Sequence, residues 1–319
     1  MTGSWRVVPW FAVVLALLGA PSSGWATDLR DAPSGSEAHV GQAGAPDDDQ
    51  AQARLMALYE QMVQFNLQGP HALAVSAIDS LMAQFGEREI GQKIAAWADY
   101  FYRRGDAAYR FGLVEGGYVS EGRLVDDFQT DCILFFYRVT ELGRSSSALE
   151  AVQFAFGTRF YGAVLADVVD AEGRVDYGNS VHLDYTIDMI RSGIWGQEIT
   201  DELGEAVSDA EGSTRYPPGT LRYVSKNAWS PEALRDGDVV YFVVDPATEY
   251  GQRLRKDGAL IGHVGIIKIE EGRPFLIHAA ARGLGDVYPG GKVEKVALET
   301  YLGRVENFRG LLATRIVSF

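Results

Sequence analysis

From Leu260 to Ala280 the chain reads LIGHVGIIKIEEGRPFLIHAA, two apolar runs of strand type, Leu260 to Ile269 and Phe275 to Ala280, each holding one histidine. A tight strand pair brings the two imidazoles, His263 and His278, onto one face of a sheet. Gly262 and Gly265 flank His263 and leave space there for a helix end or a substrate. Working outward, VVYFVV (Val239 to Val244) follows the turn Asp236-Gly237-Asp238, and ATRIVSF (Ala313 to Phe319) is a further strand. Strands so close in sequence join most easily as an antiparallel meander.

Upstream, Cys132 starts a helix in which Cys132, Phe135, Phe136 and Val139 fall on one stripe, and Asp131 is its natural N-cap. A thiol in that first turn sits at the positive end of the helix dipole among free N–H groups, which lowers its pKa and suits an oxyanion. Amide hydrolysis by a thiol needs a base within reach and a third polar group to fix the base's tautomer. Cys132, His263 and His278 are the one set that offers this. Taken singly each has a plainer reading, since a lone cysteine is usually a small core residue and a strand histidine a satisfied one. Their order along the chain gives them weight together.

The remainder bounds the class. The chain has 319 residues, 43 Asp and Glu against 29 Lys and Arg, and a net charge of -14, so a nucleic-acid partner is disfavoured. One cysteine excludes an internal disulfide framework and an all-cysteine zinc site; no HExxH, phosphate-loop or dinucleotide motif occurs, and no cofactor is expected. Arg6, the apolar block Val7 to Ala20 and Gly24-Trp25-Ala26 read as a secretory signal peptide over 1–26, cleaved after Ala26. No cysteine precedes Cys132, which argues against a lipid anchor, so an exported protein, periplasmic or secreted and without a stable membrane anchor, is expected. Residues 27–50, rich in Ala, Gly, Ser, Pro and Asp, read as a flexible linker. Residues 51–104 carry three amphipathic helices, marked by Leu55, Leu58, Tyr59 and Met62, then Val75, Ile78, Leu81 and Met82, then Ile90, Ile94, Trp97 and Phe101. A second helical stretch follows His182, with Tyr185, Met189 and Ile190 on one side, and Asp209 to Thr220 is loop by composition.

TDC opening a hydrophobic helix, then LRDGDVVYF, GHVGII and FLIHAA, resembles the ordered landmarks of the NlpC-type papain-like cysteine peptidases that hydrolyse bacterial peptidoglycan. The segment Gly178 to His182, followed by Glu198 to Thr200, is similar to the insertion of their N-acetylmuramoyl-L-alanine amidase-like relatives. The resemblance covers residues 105–319 and implies an α+β papain-like domain, its nucleophile helix packed on an antiparallel sheet, preceded by the N-terminal helical segment. It implies Cys132 as nucleophile, His263 as general base and then acid, and His278 as its orienting partner. Asp131 becomes a substrate-contact candidate beside its N-cap role, and His182, Tyr177 and Tyr185 a wall for a sugar ring, with packing around the helix as the alternative for the tyrosines. The chain departs from the family where Ile133, Leu134 and Tyr137 replace the polar residues usual after the cysteine. The implied partner is peptidoglycan or its muropeptide fragments, cut between muramic acid and L-alanine. The alternatives are cleavage of the stem peptide between D-glutamate and the diamino acid, and a silent wall-binding protein of the same fold.

Overall fold

Every residue of VVYFVV is buried, and alternate side chains enter two different cores. Val239, Tyr241 and Val243 face one cluster, Val240, Phe242 and Val244 the other, so an unbroken apolar run here means a sheet covered on both faces. The computed structural model describes residues 48–183 and 190–317; the segment read as a signal peptide, the stretch read as linker up to residue 47, and Tyr185 with Met189 lie outside them.

Three helices come first: α1 (Asp48–Leu67), α2 (Val75–Phe85) and α3 (Ile90–Arg104). Strands β1 (Ala108–Tyr109) and β2 (Gln129–Thr130) bracket a long loop, followed by α4 (Cys132–Arg144), α5 (Ala148–Arg159) and α6 (Leu165–Val168). Short strands β3 (Gln197–Glu198), β4 (Ala206–Ser208) and β5 (Arg222–Ser225) precede β6 (Val239–Val244) and α7 (Glu249–Lys256). The chain then forms β7 (Ile261–Glu270), β8 (Arg273–Ala280), β9 (Lys292–Ala297), α8 (Leu298–Arg304) and β10 (Phe308–Arg315).

The strands make one sheet in the order β2-β1-β9-β8-β7-β6-β10-β5-β4, with β3 also on β10. Among the described strands only β1 and β2 are parallel; β6, β7 and β8 form the expected meander, β9, which the sequence did not mark, continues it, and β10 pairs with β6 instead of following β8. The strand read at Ala313 to Phe319 is corrected, because β10 begins at Phe308 and ends at Arg315. Its interior glycine masked it. A Cβ at Gly310 would meet the Tyr223 ring at 2.3 Å and the Val224 carbonyl at 2.4 Å, so the residue is required by close strand packing.

Helix α1 starts at Asp48, inside the stretch read as linker. The three N-terminal helices cover the domain core: Ile78, Ile94, Trp97 and Phe101 join the cluster on one sheet face, and Met62 of α1 packs with Val152 and Phe156 of α5. Asn66 pins α1 to the loop before β2, its Oδ1 accepting from Leu124 and Val125 N–H at 2.8 and 3.1 Å. Helix α4 is buried far beyond the expected stripe, since Leu134, Tyr137, Arg138, Thr140, Glu141 and Leu142 are also inaccessible. Its two buried charges are matched by bidentate pairs, Arg138 with Asp127 and Glu141 with Arg159.

Candidate active site

Asp131 ends an extended segment and caps α4, its Oδ1 accepting from Ile133 N–H at 2.9 Å and Leu134 N–H at 2.8 Å. Its Oδ2 accepts from Gly112 N–H at 2.9 Å, which ties the β1–β2 loop to the helix start. With both oxygens engaged and 1% exposure, Asp131 has the geometry of the N-cap, not of a surface contact.

Cys132 is the first residue of α4, partly buried and free. Its pKa does not follow the helix-dipole expectation. Burial, helped by the Asp131 carboxylate, raises the thiol well above its usual range, and the opposing N–H groups of Val264, Cys132 and Ile133 do not compensate. The resting sulfur is a neutral thiol. The Val264 amide that reaches it belongs to β7, one residue beyond His263.

His263 and His278 come together as the strand pattern predicted, with His263 Nε2 and His278 Nδ1 2.7 Å apart and ring centroids 4.9 Å apart. Gly265 permits it, because a Cβ there would stand 3.0 Å from the His278 Cβ and 2.5 Å from Leu276. Tyr250, on α7, donates to the Gly262 carbonyl at 2.8 Å, fixing the irregular turn of β7 beside Phe242. The His263 ring lies between Phe242, Tyr301 and Phe308, and the His278 ring against Tyr288 and Tyr301. This apolar lining pushes His263 down to about 4 and His278 well below the ordinary imidazole range, so both are neutral near pH 7.

His182 and Tyr177 meet each other, with centroids 5.0 Å apart, and both pack on Phe160 just after α5. The Tyr177 hydroxyl accepts from Arg159 Nη1 at 2.8 Å and donates to the Arg123 carbonyl at 2.9 Å. Tyr177 meets the loop that Asp131 holds through Tyr118, whose ring fills the space that a Cβ on Gly112 would need. Leu134 and Tyr137 belong to the core, so these departures from the polar pattern do not line the site.

Sequence reading missed a set of tyrosines around the sulfur. Tyr109, Tyr250 and Tyr301 all lie within electrostatic range of Cys132. Tyr109 is half-buried at the end of β1, and its hydroxyl has no hydrogen bond among the described residues. Nothing local in the sequence marks it, because its nearness to Cys132 follows from the pairing of β1 with β2.

No family model and no curated protein matches the chain. Among solved structures it is similar to protein LPG0564 from Legionella pneumophila, a DUF1460 protein, with TM-score 0.54 and 15% identity over 76% of this chain and 94% of that one. It is also similar to an N-acetylmuramoyl-L-alanine amidase from Bacteroides uniformis, with TM-score 0.50 and 16% identity over 71% of this chain and 98% of that one. Similarity at this identity establishes a common mixed α and β fold.

Proposed function

We propose that this protein is an exported peptidoglycan hydrolase with a papain-like, NlpC-type core, in which Cys132 attacks the amide between muramic acid and L-alanine. The observation that carries the reading is the 2.7 Å imidazole pair, His263 with His278, on the strand whose Val264 amide reaches the only cysteine at a helix start. Its fold is also that of a structure named as an N-acetylmuramoyl-L-alanine amidase.

The hydrogen bonding supports the following roles. His263 Nε2 is engaged with His278, which leaves Nδ1 as the base. Thiol and imidazole are both neutral at rest, so the S–H proton passes to His263 Nδ1 as sulfur bonds to the substrate carbonyl carbon. The imidazolium then protonates the departing L-alanine nitrogen as the C–N bond breaks. Water, deprotonated by His263 Nδ1, attacks the thioester carbonyl carbon; the C–S bond breaks and the proton on His263 returns to sulfur, restoring the thiol. The Cys132 backbone N–H and the unpartnered Tyr109 hydroxyl are the oxyanion donors in this scheme. His182 and Tyr177 form a more distant wall for the sugar.

A defined muropeptide incubated with the protein, its products weighed by mass spectrometry, tests both the chemistry and the bond. Free glycan and a peptide beginning with L-alanine are expected, with Cys132→Ala silent and correctly folded. A glycan still carrying L-alanine and D-glutamate assigns the endopeptidase reaction instead. Wild-type turnover by Cys132→Ala refutes the cysteine mechanism.

A further inference from the structure

His278 is 1% exposed, and its Nε2 is buried with no hydrogen-bond partner. The proposed mechanism fixes where its proton lies. If His263 Nδ1 is to accept a proton, His263 Nε2 must carry one and donate it to His278 Nδ1, so the hydrogen of His278 resides on Nε2. A buried N–H without an acceptor carries the full desolvation penalty of that group.

Directly across the β8–β9 pair from His278 stands Glu294. Opposed side chains of an antiparallel pair share a face, with Cβ atoms about 4.5–5.5 Å apart. Glu294 is 4% exposed; Gly290 N–H donates to its Oε1 at 3.1 Å, and its other oxygen takes no donor among the described residues. Tyr288 stands beside both, its ring 5.5 Å from that of His278 and its hydroxyl in the field of Glu294. A buried unpaired donor and a carboxylate with one oxygen free of protein donors therefore occupy opposing positions of one strand pair.

We propose that Glu294 is a positioning residue that accepts the His278 Nε2–H, across no more than one water molecule, and extends the Cys132–His263–His278 line to a fourth side chain. The inference rests on the cysteine-hydrolase reading above. Glu294 holds His278 in the tautomer that can accept from His263; with the proton moved to Nδ1, two N–H groups would oppose each other and the 2.7 Å contact would break. When His263 becomes imidazolium, the line ends on a carboxylate. The other ionisable groups around the pair are His263 from β7, Tyr301 from α8 and Tyr288 and Lys292 from the β9 side, so Glu294 is the acid among them.

The test compares Glu294→Gln and Glu294→Asp with wild type by steady-state kinetics on the muropeptide and by ¹⁵N spectra of His278. Glu294→Gln should lower kcat on the order of 10- to 100-fold with KM unchanged, as lost positioning does. It should also populate the Nδ1–H tautomer of His278, while Glu294→Asp restores part of the rate and the Nε2–H form. Equal harm from Gln and Asp with the tautomer unchanged would overturn the proposal, as would wild-type kcat in Glu294→Gln. Hydrolysis surviving in Cys132→Ala overturns the parent reading separately. A silent Cys132→Ala with an unaffected Glu294→Gln discards the Glu294 role alone.

Discussion

If Cys132 and His263 act as proposed, hydrolysis at pH 5 should run almost as fast as at pH 7. Burial holds His263 at about 4, so at pH 5 roughly nine-tenths of it is neutral and able to accept the thiol proton. An imidazole of ordinary pKa, about 6.5, is only about 3% neutral there and would lose roughly 25-fold between pH 7 and pH 5. The thiol is raised out of its usual range and adds no ionisation in this interval. The same burial carries a stability cost of opposite visibility. The folded pKa lies below the unfolded one, so the unfolded chain binds the extra proton; stability is whole above about pH 6.5 and falls toward pH 4, by about 3 kcal/mol for this group. Buried His278 shifts in the same direction and adds to the loss. The assay is kcat/KM on a defined muropeptide from pH 3.5 to 7.5, with circular dichroism at each pH to confirm folding. An acid limb centred near pH 6.5 in folded protein would refute either the dry lining of His263 or its role as base.

Further outcomes follow from the groups around α4. Asp131→Ala should destabilise by about 1–2 kcal/mol in urea titration, the usual cost of a lost N-cap, and release the Gly112 loop as well. Glu141→Gln leaves the Arg159 guanidinium buried without its carboxylate and should cost about 3–5 kcal/mol, whereas replacing both partners with apolar residues should cost much less. Tyr109→Phe should lower kcat on the order of 10²-fold with KM and melting temperature unchanged, because its hydroxyl has no partner to lose in the resting protein. An unaltered kcat would remove Tyr109 from the oxyanion site.

The meander was readable because β6 is apolar throughout, β7 and β8 carry long apolar runs, and the three lie close in sequence. Strand β9, KVEKVA, was not, since Lys292, Glu294 and Lys295 dilute its apolar residues and its place is set by pairing with β8. Helix α5 escaped for another reason: Ala148, Ala151, Val152, Ala155 and Phe156 form one buried face, but Leu149 and Phe154 place apolar residues off it and blur the period. The histidine pair was legible from strand alternation. The thiol's pKa was not, because a dipole can be inferred from a helix start, whereas desolvation depends on how deeply the fold buries the sulfur. His182 and Tyr177 meet each other, while Tyr185, read with them, lies outside the described residues, and only the fold shows Tyr118 against Tyr177 and Gly112.

The position of β10 between β6 and β5 has a consequence for the order in which the chain is made. A ribosome completes VVYFVV about seventy residues before it completes β10, which at roughly 5–20 residues per second leaves one side of β6 unpaired for ~4–14 s. That side belongs to an apolar, uncharged strand of the kind that pairs readily with strangers. A nascent chain therefore passes through an interval of exposure that the finished protein never shows, and shielding by a chaperone matters most in that interval. A message cut short between α8 and β10 would yield a product that carries every proposed catalytic side chain and still aggregates.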